Sequence, residues 1–298
     1  LDRLEWDPEL LDLFGIPASL LPEVRGSDAH FGETRAVGLP GGIPIHALLG
    51  DSHAALLGHG FGSAGEAKVT IGTGSSLMAV TDRRVRSAHG LSSTIAWGAG
   101  GTVFHALEGN VAVSGHAAAF GAKLLHLDDA AALAALATGV ESSEGVLFVP
   151  ALAGLGAPHW RSAARGLVAG MSLGTTSAHF ARAVVDGIAH QIADIVEAMD
   201  ADSSTPLASL SVDGGAAGND LLVQLIADAI GRPVVRPAEL GLSARGVALM
   251  AAQASGAHAG GWPGIMGARF KPTVDPAARV VARARWRAAV DAAASLGA

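Results

Sequence analysis

One carboxylate and three short glycine-rich segments are the parts of this chain best suited to chemistry. Asp51 follows the apolar run 43–49 and precedes a helical pattern at 54–59. Open α/β sheets bind ligands beyond such strand ends, and a carboxylate there can serve as a general base. The same position suits a helix N-cap, a role compatible with the first. Gly72-Thr73-Gly74-Ser75 would present backbone N–H groups and hydroxyls at a strand end, as a phosphate cradle requires, or would form an ordinary hairpin turn. Gly214-Gly215 follows the strand-like 209–213; a nucleotide's flat face could slide over such bare backbone, or the pair could be a tight strand–helix turn. Gly115, set in a helical stretch, permits close approach of a ligand or of another helix.

Other motifs lead nowhere. Residues 60–65 fit G-x-G-x-x-G, but they follow a helix and lead into a strand, the reverse of a dinucleotide-binding context. Walker A and H-E-x-x-H motifs are absent. The 12 histidines are dispersed, and His53 and His59 read as packing or surface residues rather than metal ligands. Arg279, Arg283 and Arg287 form a basic stripe on the final helix, which reads as a solvated face.

The elements that must position these residues alternate between two periods. Short helices are expected at 7–14 and 17–24, each led by a proline near its start. The run 43–49 reads as a strand buried on both faces. Strands are expected at 68–71, 77–80, 93–97 and 101–107, then helices at about 110–124 and 128–137. Strands at 146–150 and 167–171 flank a Gly- and Pro-rich loop. The strongest helical pattern covers 177–199, where Phe180, Val184, Ile188, Ile192, Ile195 and Met199 form one apolar stripe. Strand 209–213, helix 219–230, strand 233–236, helix 243–255, a Gly-rich loop and a helix from 275 complete the pattern. Helices alternating with strands indicate an α/β architecture.

Composition narrows the class. Half of the 298 residues are hydrophobic and 16% are charged, enough for a substantial core and contrary to disorder. A net charge of −7 lacks the basic footprint of a nucleic-acid binder. Cysteine is absent, which removes disulfides and thiolate metal sites. No apolar run reaches the roughly 18 residues of a membrane span, and the acidic amphipathic opening is no signal peptide. A cytoplasmic enzyme is the expectation, with no membrane or nucleic-acid partner.

In order along the chain, these segments resemble the FGGY carbohydrate kinases. Residues 4–24 look like a segment late in the first domain of that family. Gly50-Asp51-Ser52-His53 with Ala54, Ala55 and Leu56 resembles GDQQAAL, and Ile71–Ser75 is similar to YGTGC. Residues 106–109 resemble ALEG, and 154–160 resemble GLGAPYW. Residues 166–186 fit the family's second signature, and 212–219 resemble the adenosine-binding VDGGAVANN. The matches run from about residue 4 to 256.

This resemblance implies an actin-like, ribonuclease-H-like ATPase fold in which two domains clasp ATP-Mg²⁺ and a small polyol or sugar. It assigns residues 1–60 to the terminal part of a truncated first, substrate-side domain and 61–298 to a complete second, nucleotide-binding domain. It implies that Asp51 takes the proton from the attacking hydroxyl, with Ser52 beside it at the substrate. Gly72, Thr73 and Gly74 would contact the phosphates, Gly115 would lie against the nucleotide, and Gly214, Gly215 and Asn219 would hold the adenosine end. Glycerol is the leading acceptor, and another polyol or a pentulose is the alternative. Departures from the family pattern are Ser52, Ser76, Ala119 and Arg161. The family's opening D-x-G-T-x-x-x-R does not precede Leu1, so the chain alone is expected to turn over little or not at all. A homo-oligomer or a complementing amino-terminal half is the macromolecular partner this implies; a non-catalytic nucleotide-binding module is the reading from another class.

Overall fold

Alternation of apolar residues along consecutive strands builds a sheet covered on both faces. The computed structural model describes residues 1–35, 38–239, 241–257 and 264–296. Its helices are α1 (Pro8–Phe14), α2 (Asp51–Gly58), α3 (Gly115–Leu124), α4 (Ala130–Ala137), α5 (Ser177–Asp202), α6 (Asp220–Ile230), α7 (Leu242–Ala254) and α8 (Pro276–Ser295). Its strands are β1 (Glu66–Ile71), β2 (Ser75–Thr81), β3 (Ser92–Ala99), β4 (Thr102–Val111), β5 (Leu147–Val149), β6 (Leu167–Ala169), β7 (Ser209–Asp213), β8 (Val234–Pro237) and β9 (Gly267–Phe270). Seven strands form one sheet in the order β3-β4-β2-β1-β7-β8-β9, and β5 pairs with β6 separately. The β3, β4, β2 and β1 run is antiparallel, whereas β1-β7-β8 is parallel. This mixed order is the ribonuclease-H-like arrangement.

Period two divides the sheet's side chains between layers. Val69, Ile71, Leu77, Leu210 and Val212 pack in one core with Ile188, Ile192 and Ile195 of α5 and Val223 and Ile226 of α6. Met78 and Val80 face the other way, against Leu56 and Leu57 of α2, Met250 of α7 and Trp97. Helix α5 begins where its sequence provides a reciprocal cap: the Thr176 hydroxyl accepts from the His179 N–H, and His179 Nδ1 accepts from the Thr176 N–H. Helices α2 and α7 cross at glycines. A Cβ at Gly58 would overlap the Leu242 carbonyl, and one at Gly246 would overlap that of Ala54.

Several expected elements differ. The run 43–49 forms no strand; Ile43, Ile45 and Leu48 are exposed, and the stretch is tied to 27–34 by one isolated bridge, Glu33↔Pro44, and scattered backbone bonds such as Ile45 N to Gly32 O. A strand buried on both faces needs a continuous ladder with neighbours, and none runs along it among the described residues. Residues 17–24 hold a single 3-10 turn, Ala18–Leu20, before extended chain. The strand at 102 runs on to Val111 because Val111 pairs with Ser75, so the next helix starts at Gly115 rather than near 110. Strand β9 went unexpected, and the Gly-rich loop after 255 lies largely outside the described residues. No helix among the described residues is long and apolar enough to cross a membrane.

The basic stripe on α8 also needs correction, because Arg283 is 2% exposed. It donates to Asp194 Oδ1 at 2.5 Å and Glu197 Oε1 at 2.8 Å, both on α5. Asp194 accepts in addition from Trp286 Nε1 and pairs with His159 Nε2 at 2.9 Å. These bonds hold the Asp194 carboxyl below its usual range despite burial, which alone would raise it. Partners supplied by another helix, not α8's own pattern, decide which face is buried.

A pH dependence follows from the neighbouring His190, which stacks on Trp286 at 5.1 Å and meets Arg283 at Nδ1. Burial first, then the Arg283 charge, pushes its imidazole down to about 4. Unfolded histidine protonates near 6.5, so between those values the unfolded chain binds more protons. Stability therefore declines as pH falls from about 6.5 to 4, by about 3 kcal/mol from this group, and His190 adds no slope above that window. Urea unfolding at pH 7 and pH 4.5 should show the decline, and His190→Gln should flatten it. An equal slope in both proteins would remove His190 as its source.

Candidate nucleotide-binding cleft

The turn between β1 and β2 is held by the start of α3. Within it Gly72 N donates to Gly74 O at 2.8 Å. The N–H groups of Ser114 and His116 donate to Thr73 O, and that of Gly115 to Gly72 O. A Cβ at Gly115 would stand 2.5 Å from Gly72 O. Glycine at 115 is thus required by the approach of another backbone. Inside the β2 end of this turn the Ser75 hydroxyl donates to Ser114 Oγ at 2.7 Å, fully buried. Thr73 itself is exposed.

At the end of β7 the two glycines differ in kind. Gly214 has φ +92°, and a Cβ there would stand 2.5 Å from Ile71 O. No other residue fits where the tips of β1 and β7 converge. Gly215 has nothing within 4 Å of its would-be Cβ, so its bare face opens onto space. Asn219 caps α6, its side chain accepting from Leu222 N at 3.2 Å.

Gly115, Gly215 and Asn219 line one cleft of about 520 Å³, together with Ile71, Thr138 and Ile188. Its walls are mostly alanine and aliphatic side chains, with Asn219, Asp220 and Thr138 as polar points. Apolar walls, the three glycines Gly115, Gly215 and Gly218 and a few polar groups suit the adenosine part of a nucleotide. Gly72, Thr73 and Gly74 do not line this cleft; they adjoin it through Gly115. Gly214 and Gly215 also border a second cleft of about 680 Å³ with Thr70, Asp213, Arg236 and Ser243.

Asp51 and Ser52 stand on α2, outside both clefts. Gly50, not Asp51, is the N-cap of this helix; Asp51 occupies its first turn. The Asp51 carboxylate is exposed and accepts from the Ser52 N–H at 2.7 Å. Ser243, on the rim of the second cleft, donates to Asp51 O at 3.0 Å. The G-x-G-x-x-G segment at 60–65 is closed by protein: Glu66 Oε2 accepts from the N–H groups of Gly62 and Ser63. Among the described residues no group of three or more His, Asp or Glu side chains could hold a metal.

Beneath the β7 turn lies a polar cluster that sequence reasoning missed. Lys68 and His59 are fully buried, with Ser211 and Asp213 beside them. Burial lowers the His59 and Lys68 pKa values, whereas His59, Thr70 and Lys68 hold Asp213 down against its own burial. The one available signal was a lysine at 68 in a strand whose neighbours Ala67, Val69 and Ile71 are apolar.

Comparisons with known proteins show the family and the fold. Residues 67–255 match the C-terminal domain of the FGGY family of carbohydrate kinases, and 1–58 match that family's N-terminal domain. A glycerol kinase of Myxococcus xanthus is 44% identical over 308 residues, covering 98% of this chain and 61% of the relative. One from Thermus brockianus is 43% identical over 297 residues, covering 98% and 60%. The chain thus spans about three-fifths of the length of these relatives. Among solved structures, Plasmodium falciparum glycerol kinase with ADP superposes at TM-score 0.89, with 29% identity, over 98% of this chain and 60% of that one. Xylulose kinase of Lactobacillus acidophilus, at 20% identity and TM-score 0.86 over 100% and 62%, shares the fold. On the family matches and the sheet order together, this chain belongs to the FGGY family of carbohydrate kinases.

Proposed function

We propose that this chain supplies the nucleotide-binding lobe and the general base of an ATP-dependent kinase acting on a hydroxyl of a small polyol, glycerol first. The observation that carries this is the cleft in which bare backbone at Gly115 and Gly215 meets the Asn219 cap. Residues 61–298 act as the nucleotide domain and 1–60 as the end of the substrate-side domain. The adenosine lies across Gly215 with Asn219 at its edge, above Gly214. The phosphates reach toward Gly72, Thr73 and Gly74, and Mg²⁺ travels on them, since Mg²⁺ commonly binds through substrate phosphates. Asp51 accepts the proton of the attacking hydroxyl while Ser52 orients the acceptor. Phosphoryl transfer needs alignment and charge stabilisation more than covalent help.

A larger acceptor such as a pentulose is the second reading. Ser52 and Ser76 favour it: both depart from the family pattern at substrate-side positions, which suits a roomier or differently bonded pocket. A coupled ADP-release assay over a polyol and pentulose panel separates the two. The chain alone should show little turnover. Joined to the amino-terminal part of a glycerol kinase, it should release ADP with ATP and glycerol. A completed protein that binds ATP and phosphorylates none of the panel would overturn the kinase reading.

A further inference from the structure

Helix α2 carries Asp51 on its first turn, and just past its other end stands His59. That ring is buried, with Nε2 2.9 Å from Asp213 Oδ2 and Nδ1 2.8 Å from Ser211 Oγ. A carboxylate only accepts, so the ring is the Nε2–H tautomer and Nδ1 receives the Ser211 hydroxyl proton. Phe61 stacks on the ring at 5.3 Å. Asp213 is the last residue of β7, and the next two are Gly214 and Gly215. Across the parallel β1–β7 pair, Lys68 lies opposite Ser211 and Thr70 opposite Asp213. Lys68 Nζ donates to Thr70 Oγ1 at 2.9 Å.

The plain alternative is a buried histidine and aspartate that merely satisfy one another. Two features go further. The bond joins residues 154 positions apart, one closing the helix of Asp51, the other opening the turn of Gly214 and Gly215. That turn has little slack, because Gly214 is pressed against Ile71, so a displacement of Asp213 must move Gly215. An apolar pair would have filled this space without the desolvation of Lys68, His59 and Asp213 together.

We infer that His59 and Asp213 are positioning residues that tie the helix of Asp51 to the nucleotide turn, so that acceptor-side base and adenosine floor move as one body. This rests on the nucleotide reading above. Neither residue touches substrate; both act through the backbone they hold.

The test is NMR of the 298-residue chain titrated with MgADP. In the parent, MgADP should shift the Gly215 and Asn219 amides, the His59 ring nitrogens, and the Asp51 and Ser52 amides. His59→Leu should weaken MgADP binding about ten-fold or more, the loss of a buried bond to a charged group, and should abolish the Asp51 shift. His59→Gln, whose amide can still donate to Asp213, should stay within about two-fold of the parent. A merely structural role would lower the melting temperature of His59→Leu yet leave affinity and the Asp51 shift intact, which overturns the inference. So does a His59→Gln variant as weak as His59→Leu. If His59→Leu does not fold, the parent decides: shifts at Gly215 and Asn219 with His59 and Asp51 unmoved overturn the tie alone. No shift at Gly215 or Asn219 removes the nucleotide reading and the tie with it.

Discussion

Asp51→Asn, made in this chain joined to the amino-terminal part of a glycerol kinase, should lower kcat by about a thousand-fold while nucleotide affinity stays unchanged. The argument is geometric. The first turn of α2 presents the carboxylate to solvent, one oxygen engaged by the Ser52 N–H and no cation paired with it among the described residues. Asparagine preserves shape and the Ser52 contact but cannot take a proton. Asp51 borders neither cleft, so MgADP binding should not change. A coupled assay measures the rate and calorimetry the affinity. A variant that keeps more than a tenth of the parent kcat would show that proton removal does not pass through Asp51.

Arg283→Met should cost about 3–5 kcal/mol of folding stability, the usual penalty for removing one partner of a buried ion pair. Asp194 would keep Trp286 and His159 but lose its guanidinium in a site from which water is excluded. The loss should fall on the docking of α8, whose Trp286 and Val290 pack against Val149 and Leu155. Pairing the change with Asp194→Asn should recover much of the stability, because the stranded charge is gone. Urea unfolding of the parent and the two variants measures this. A loss below 1 kcal/mol in Arg283→Met would mean that Arg283 is not what fixes α8.

How legible these features were depended on whether their partners lay nearby in sequence. The β1–β2 hairpin and α5 were readable because two strand-like runs about a glycine turn and an apolar stripe are local signals. The stretch 43–49 misled because apolar content specifies burial only when neighbouring strands exist. Arg283 was misread as solvated because Asp194, its partner, lies 89 residues away. His59 was noticed but not understood for the same reason. Four-residue β9 at the sheet edge was too short to carry a period. Gly115 was flagged for closeness to a ligand or a helix; the backbone pressing on it is the Gly72 turn, while its exposed side lines the cleft. No single glycine motif identified the family. Their order along the chain did.

The kinase reading depends on a nucleotide lying on the bare face of Gly215, and calorimetry of MgADP against Gly215→Leu tests that most directly. Since nothing in the protein lies within 4 Å of a Cβ there, the variant should fold with stability within about 0.5 kcal/mol of the parent. Its side chain should fill the cleft and weaken MgADP binding by about 100-fold or more. Gly215→Leu binding MgADP as tightly as the parent, with both proteins folded, would place the nucleotide elsewhere.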